Sequence, residues 1–566
     1  MKKFLVKKSA ILVGVILLGL SFSSFKGDDK NFQIAKNLDV FNSIFKELNM
    51  FYVDTIKPDK SIKIGIDAML EALDPYTEYY AEEDMGDLNL MIKGSYGGIG
   101  SVISYYKERV VIDEPYEGMP AAKAGLKPGD VLLEIDGKDL KGKSVAQVSE
   151  QLKGQIGTNF VLKVERLGAK KPLEFKLLRE SIQIPAVPYY SVEANNTGYI
   201  QLSSFTGKPA KEFKDAFLAL KKKGITSLVI DLRSNGGGLL DEAVEIANMF
   251  LPKGKEIVAT RGKMKQWDRA YKTTRDPIDP DIPITVLVNN GSASASEILA
   301  GAFQDLDRAV IMGTRTFGKG LVQTTRNLPY GGSLKLTTAK YYIPSGRCVQ
   351  ALDYKHRNED GSVGRVPDSL TTVFHTAAGR EVRDGGGIMP DVEIKAEKIP
   401  NILYYLTMDK IIFEYANGYC QKHSTIPPVK EFALTNEDYN DFKVLVSKSN
   451  FKYDRQSEKV LKNLKEVAEF EGYMDDASEE FKALEKKLSH NLDRDLDHFS
   501  KDIKSLISAE IVKRYQYQKG AIAQQLKNDD GLVKAIELLN NPDKYKSILS
   551  TVKASSTQTT ASTQAK

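Results

Sequence analysis

The chain has 566 residues, 42% of them hydrophobic and 27% charged, and a formal net charge of +5. That length is more than one hydrophobic core holds, so three or four domains are expected, and the composition is that of a soluble globular protein. Four of the positive charges, Lys2, Lys3, Lys7 and Lys8, sit at the extreme N-terminus; the remainder is close to neutral, which argues against a nucleic-acid partner.

Those lysines precede the apolar run Ala10 to Leu20, and Ser21 to Ser24 follow. This is the basic, apolar, small-residue order of a secretory leader. The run is short for a membrane span. Residues 1–25 are therefore expected to be a signal peptide or a membrane anchor, and the protein to be exported. The two cysteines, Cys348 and Cys420, stand in contexts that do not argue for pairing. No Cys or His cluster suggests a metal, and no cofactor is expected.

Residues 26–92 read as an N-terminal helical region. Ile34, Leu38, Phe41, Ile44, Phe45 and Leu48 recur at helical spacing. A second helix is expected from Ile62 to Leu73. Asp74-Pro75 then stops it, and Tyr76, Tyr79 and Tyr80 supply aromatics to pack.

Residues 93–180 have the pattern of a PDZ domain. Tyr96-Gly97-Gly98-Ile99-Gly100 resembles the glycine-rich carboxylate loop of that module. Strand-like Ser101 to Ser104 and Val110 to Ile112 follow. Ala121-Ala122-Lys123-Ala124-Gly125-Leu126-Lys127-Pro128-Gly129-Asp130-Val131-Leu132 resembles the core segment of bacterial PDZ modules. Such a module binds a terminal carboxylate on backbone N–H groups and adds the peptide to a strand edge. Tyr96, Gly97, Gly98, Ile99, Gly100 and Val102 are the candidate substrate-binding residues, with Ile99 and Val102 shaping a pocket for an apolar last side chain.

From residue 181 strands and helices alternate. Thr197 to Phe205 reads as a strand, Lys211 to Lys223 as a helix, and Ser227 to Arg233 as a buried strand. Ser234-Asn235-Gly236-Gly237-Gly238 follows, with more glycine than a plain turn needs, and then a helix from Leu240 to Phe250. The run Ile284 to Val288 is a buried strand that leads into Asn290-Gly291-Ser292-Ala293-Ser294-Ala295-Ser296-Glu297. Apolar residues at helical spacing continue to Leu306.

A serine cluster thus sits at a strand-to-helix junction, where backbone N–H groups lack partners and negative charge is favoured. That suits a nucleophile and part of an oxyanion hole. Further on, Thr316-Phe317-Gly318-Lys319-Gly320 sets a lysine between two glycines. Taken singly, the serines read as helix caps and the lysine as a solvated loop residue.

The pair of segments together resembles the signature of the C-terminal processing peptidases, or tail-specific proteases. The resemblance runs from about Leu73 to about Val392. It implies that Ser294 is the nucleophile, at the family's spacing from the lysine, rather than Ser292 or Ser296. It further implies that Lys319 is the general base, that Gln323 orients it, and that the backbone N–H groups of Gly238 and Ala295 form the oxyanion hole, either of which could shift by one residue. A lysine is a base only when neutral, and apolar neighbours such as Phe317, Leu321 and Val322 work against its charge. No G-x-S-x-G elbow is present, and the five histidines stand outside the motif segments.

The expectation is therefore an α/β multidomain chain. An N-terminal helical segment and a PDZ domain precede an α/β Ser/Lys protease core with a mixed sheet over 181–396. A helical accessory domain over 397–552 and a disordered Ser/Thr/Gln/Ala tail over 553–566 complete it. The expected activity is serine endopeptidase cleavage of exported or misfolded proteins upstream of a free, apolar C-terminus. The resemblance places it in the periplasm, or tethered to the inner membrane and facing the periplasm. It leaves room for an adaptor protein and a homo-oligomer. The other reading is a non-catalytic PDZ-type peptide-binding scaffold of the cell envelope.

Overall fold

The computed structural model describes residues 28–86, 88, 94–395, 398–488 and 491–550. The expected leader over 1–25 and tail over 553–566 lie outside these residues. No helix among the described residues is long and apolar enough to cross a membrane. The chain divides between Tyr79 and Tyr80 into two compact units.

The first unit holds α1 (Asp28–Phe51) and α2 (Pro58–Glu71). Proline suits the start of α2, because the N–H it lacks would have no partner in the first turn. The stop comes where the sequence puts it. The Asp74 carboxylate accepts the N–H groups of Tyr76 at 2.8 Å and Thr77 at 2.9 Å, a local bond that competes with further helix.

In the second unit the PDZ domain comes first. Its elements are β1 (Ser95–Gly98), β2 (Ser101–Tyr106), β3 (Arg109–Pro115), β4 (Val131–Ile135), α3 (Val145–Leu152), β5 (Asn159–Glu165), β6 (Leu173–Leu178) and β7 (Glu180–Gln183). Strands β2 to β6 form an antiparallel sheet in chain order, and β1 pairs with β7. Alternate residues of β5, Phe160, Leu162 and Val164, are buried against Val148 and Leu152 of α3. Ser144 and Gln147 start α3 with reciprocal bonds to each other's backbone.

The core comes next, with β8 (Tyr189–Glu193), β9 (Thr197–Gln201), α4 (Pro209–Lys222), β10 (Ser227–Asp231), α5 (Leu240–Ala247), β11 (Glu256–Gly262), β12 (Arg269–Lys272), β13 (Ile284–Val288), α6 (Ala295–Asp305), β14 (Val310–Gly313), β15 (Leu321–Asn327), β16 (Ser333–Tyr342) and β17 (Val392–Glu393). One sheet runs β8-β9-β10-β13-β14-β17; β8 is antiparallel and the rest are parallel. The other strands pair antiparallel, β15 with β16, β16 with β11, and β11 with β12. Parallel strands covered on both faces must be apolar throughout, and every residue of β10, β13 and β14 is buried.

The two faces of the parallel sheet have different covers. Ile200, Ile230, Val286 and Ile311 face α4, α5 and α6, where Phe213, Phe217, Phe250 and Phe303 gather. Phe250 makes edge contacts with the other three rings. Tyr199, Val229, Leu287, Val310 and Met312 point the other way and meet Leu532, Ala535, Leu538, Leu539 and Tyr545. Those last residues belong to α14 (Asp530–Leu539) and α15 (Pro542–Leu549), the last helices among the described residues.

Between the core and these two helices lies a helical domain. It comprises α7 (Asn401–Met408), α8 (Ile411–Lys422), α9 (Asn436–Lys448), α10 (Gln456–Phe470), α11 (Ser478–Leu488), α12 (Leu492–His498) and α13 (Ser500–Leu526). Its own core includes Ile402, Leu406, Phe442, Leu496, Ile507 and Ile511. It holds the PDZ domain through Lys410 to Asp113 at 2.8 Å, Tyr106 to Glu414 at 2.6 Å and Lys519 to Glu117 at 2.9 Å.

Candidate active site

Three neighbouring parallel strands, β10, β13 and β14, end at the same edge of the sheet. Ligands of open α/β sheets bind beyond such carboxyl ends. The loop after β10 carries Gly238, the turn after β13 carries Ser294, and the segment after β14 carries Lys319.

The three serines of the turn have different fates. Ser292 is fully buried and donates its hydroxyl to Leu232 O at 2.7 Å. Ser296 is also fully buried and donates to Asn235 O at 2.8 Å. Ser294 alone of the three is part-exposed, and it begins α6 with φ +57° and ψ −114°. A serine with positive φ is strained, and such strain persists only where the surroundings enforce it.

The enforcing group is Glu297, which has no exposed surface. Its Oε2 accepts the backbone N–H of Ser294 at 2.9 Å and that of Lys319 at 2.8 Å. Its Oε1 accepts Gly318 N–H at 2.8 Å and the Thr316 hydroxyl at 2.6 Å. The turn that bears Lys319 is thereby tied to the turn that bears Ser294. Burial pushes the Glu297 carboxyl up to about 7, against the four bonds that favour its anion. Phe317 N–H adds a direct link, donating to Ser292 O at 3.0 Å. Tyr341 closes the far side, its hydroxyl donating to Ser294 O at 3.3 Å.

The glycine loop is stitched to the same turn. Ala293 N–H donates to Asn235 O at 3.0 Å, and Asn289 Oδ1 accepts Ser234 N–H at 2.7 Å. Gly237, with φ +96°, has no room for a side chain: a Cβ there would lie 2.8 Å from Ser294 Cβ and 2.9 Å from Ala295 N. The backbone N–H groups of Gly238 and Ala295 donate no hydrogen bond among the described residues. Gly238 and Ala295 thus stand on adjoining segments with donors to spare.

Gln323 lies in β15, and its Nε2 donates to Thr337 Oγ1 on β16 at 3.1 Å. In the PDZ domain, Tyr96, Gly97 and Gly98 form β1. Ile99 is 3% exposed in the PDZ core, while Val102 is 36% exposed. Ile99 O and Gly100 O accept Ala121 N–H and Tyr116 N–H, whereas the Ile99 and Gly100 N–H groups make no bond among the described residues. The described histidines lie elsewhere: His356 pairs with Asp353, His423 stacks on Tyr419, His498 packs on Phe499, and His375 is in a hairpin with Glu381. His490 is outside the described residues.

Sequence reading passed over Glu297, although its signal was present. Ser294 and Glu297 have the S-x-x-E spacing of a capping box, in which the acid reaches back to the cap N–H. Only the fold shows that the same carboxylate reaches Gly318 and Lys319.

The fold and this site define a serine endopeptidase that carries a peptide-binding PDZ module. Comparison with known proteins agrees. The model of peptidase family S41 matches residues 196–355, a PDZ domain model matches 111–166, and a model of the C-terminal helical domain of probable PDZ-proteases matches 402–539. The carboxy-terminal-processing protease of Bartonella bacilliformis is 37% identical over 355 residues, covering 62% of this chain and 81% of the relative. A probable CtpA-like serine protease of Staphylococcus aureus is 36% identical over 357 residues, covering 61% and 71%. Among solved structures, a photosystem II D1 C-terminal processing protease is 29% identical, covers 63% of this chain and 87% of its own, and has a TM-score of 0.35. The chain belongs to the C-terminal processing proteases of peptidase family S41.

Proposed function

We propose that this protease cleaves with a Ser294/Lys319 dyad and selects its substrates by their free C-termini. The observation that carries the reading is the sorting of the three serines. Ser292 and Ser296 spend their hydroxyls on buried carbonyls, and Ser294 is held part-exposed at a strained turn beside the Lys319 turn.

In this reading Ser294 Oγ attacks the scissile carbonyl carbon while Lys319, in its neutral form, takes the hydroxyl proton. The oxyanion is met by the N–H groups of Gly238 and Ala295. Collapse breaks the C–N bond, and Lys319 returns the proton to the leaving amine. Water then attacks the acyl-enzyme by the same route and frees Ser294. Gln323 orients Lys319 from the following strand.

The PDZ segment from Tyr96 to Gly100, the end of β1 and the turn after it, takes the substrate's terminal carboxylate, and a pocket beside Ile99 and Val102 takes an apolar last side chain. Cleavage then falls upstream, in chain that can lie extended. Unstructured tails and misfolded proteins fit that demand. The N-terminal leader makes exported proteins the substrate pool, in the periplasm or at the inner membrane.

The test compares wild type with Ser294→Ala and Lys319→Ala. Each receives an unfolded substrate ending in a free apolar residue, and the same substrate with an amidated end. Cleavage by wild type alone, with preference for the free end, is the expected result. Cleavage by both variants at the wild-type rate removes the dyad. Binding of the free end without cleavage by any of the three leaves a peptide-binding scaffold.

A further inference from the structure

Arg233 follows Leu232 just past the end of β10 and opens the loop that leads to Gly238. Its guanidinium lies between two carboxylates. On one side Nε donates to both oxygens of Asp231 at 3.0 Å, and Nη2 to Asp231 Oδ2 at 2.5 Å. On the other, Nη1 donates to Asp529 Oδ1 at 3.0 Å and Nη2 to Asp529 Oδ2 at 2.5 Å. Two-point pairing of this kind fixes orientation as well as distance.

The two carboxylates are not equivalent. Asp231 ends β10, close to Arg233 in the chain, and is itself held by the Tyr199 hydroxyl at 2.8 Å. It fixes one side of the guanidinium. Asp529 is 296 residues away in sequence and caps α14, accepting Leu532 N–H at 2.9 Å. Helix α14 is in turn anchored on the sheet by Leu532, Leu538 and Leu539. Asp529 is therefore a fixed post beside the free side of Arg233.

The loop after Arg233 needs such a post. Ser234 has φ +58°, Gly236 is exposed, and Gly237 and Gly238 have φ +96° and +147°. Glycines have little conformational preference of their own, so the loop's course is set by its bonds to the serine turn, by its bonds to Leu202 and Phe205, and by how its start at Arg233 is held. We propose that Asp529 is a positioning residue of the active site: from the cap of α14 it clamps the outer side of Arg233 and sets the course of the loop that presents the Gly238 N–H. The proposal rests on the reading of Gly238 as an oxyanion donor. It makes the cap of α14 part of the catalytic architecture.

The test uses the full chain with Asp529→Asn, and Phe442→Ala as a packing change in the helical domain's own core. The readouts are kcat and KM on the free-ended substrate, the thermal midpoint, and hydrogen exchange of the amides from 234 to 238. For Asp529→Asn the expected result is a fall in kcat of about tenfold with KM little changed, because small misplacement of catalytic groups is expensive, together with faster exchange in the loop. Phe442→Ala should lower the thermal midpoint at least as far, while kcat and loop exchange stay at wild-type values.

Wild-type kcat and exchange in Asp529→Asn would overturn the proposal. So would equal losses of kcat and equal exchange in both variants, since a general loss of stability would then explain them. If wild type does not cleave at all, the protease mechanism fails, and exchange still decides: faster exchange in Asp529→Asn alone upholds the clamp. Should Asp529→Asn not fold, Asp529→Glu, which keeps the charge one methylene further out, takes the same readouts.

Discussion

Ser294 and Lys319 donate their backbone N–H groups to the same oxygen of Glu297. One carboxylate therefore sets the separation of the two turns that carry the proposed nucleophile and base. The relation is between backbones, so it is independent of how either side chain turns. It also explains how a serine is kept at φ +57°, since the bond that holds it is buried and shared.

Replacing Glu297 by Gln tests that account. The amide keeps one carbonyl oxygen for two of the four donors. Its NH₂ group would then face the other two, donor against donor. Buried donors left unpaired cost about 1–3 kcal/mol each. Glu297→Gln is expected to lose about 2–5 kcal/mol of stability and at least about a hundredfold in kcat, as misplacement of the turns implies. Calorimetry and steady-state kinetics measure both. A variant as stable and as active as wild type would show that the shared carboxylate is dispensable.

The same carboxyl predicts opposite pH trends for stability and activity. Its value in the folded chain is raised from 4.5 to about 7. The unfolded chain releases the proton near 4.5, whereas the folded chain keeps it to about 7. Between those values the folded state binds more protons, so stability falls as pH rises and levels off above about 7. The size is on the order of 3 kcal/mol. All four donors favour the anion, so activity should rise over the same interval. Urea unfolding at about pH 5 and about pH 8 measures the slope, and the slope should vanish in Glu297→Gln. An unchanged slope in that variant would assign it to other groups.

Much of this was legible in the sequence because it rests on local pattern. Ile284 to Val288 reads as a buried strand and is one. The run of three glycines after Arg233 announces a loop that comes close to other backbone, and Gly237 does so against Ser294. The long-range relations were not legible. Nothing in the polar heads of α14 and α15 says that their apolar faces cover Tyr199, Val229 and Leu287. Amphipathic spacing tells that a helix buries one face, not what it is buried against. For the same reason the Arg233–Asp529 pair could not be read off, its members being separated by most of the chain. Glu297 fell between: its capping spacing is local, and its bonds to Gly318 and Lys319 are not.

The contact of the glycine loop gives a further prediction. A methyl group on Gly237 would lie 2.6 Å from Ala293 O, 2.8 Å from Ser294 Cβ and 2.9 Å from Ala295 N. These are backbone atoms and the proposed nucleophile's own carbon, so none can swing aside. Gly237→Ala must push the loop away from the serine turn and carry Gly238 with it. If Gly238 supplies an oxyanion donor, kcat should fall by about 10²–10³ with KM little changed. Equal loss in KM and kcat would instead mark a substrate contact. A fall below about tenfold would remove Gly238 from the oxyanion hole.

The PDZ loop can be separated from the chemistry by one methyl group. A Cβ on Gly97 would lie 2.2 Å from Gly154 O, a backbone atom just past the end of α3. Gly154 N–H donates back to Gly97 O at 3.1 Å, so the two segments are locked together. Gly97→Ala must therefore displace the strand that leads into Ile99 and Gly100, whose N–H groups are the proposed donors to a carboxylate. The serine turn is built from other elements and keeps its bonds to Glu297. The variant should cleave a free-ended substrate no faster than the amidated one, while a small acylating reagent still modifies Ser294 at the wild-type rate. Retained preference for the free end would mean that the terminal carboxylate is bound elsewhere. Loss of acylation as well would mean that the PDZ loop supports the serine turn, and the two functions would have to be treated as one.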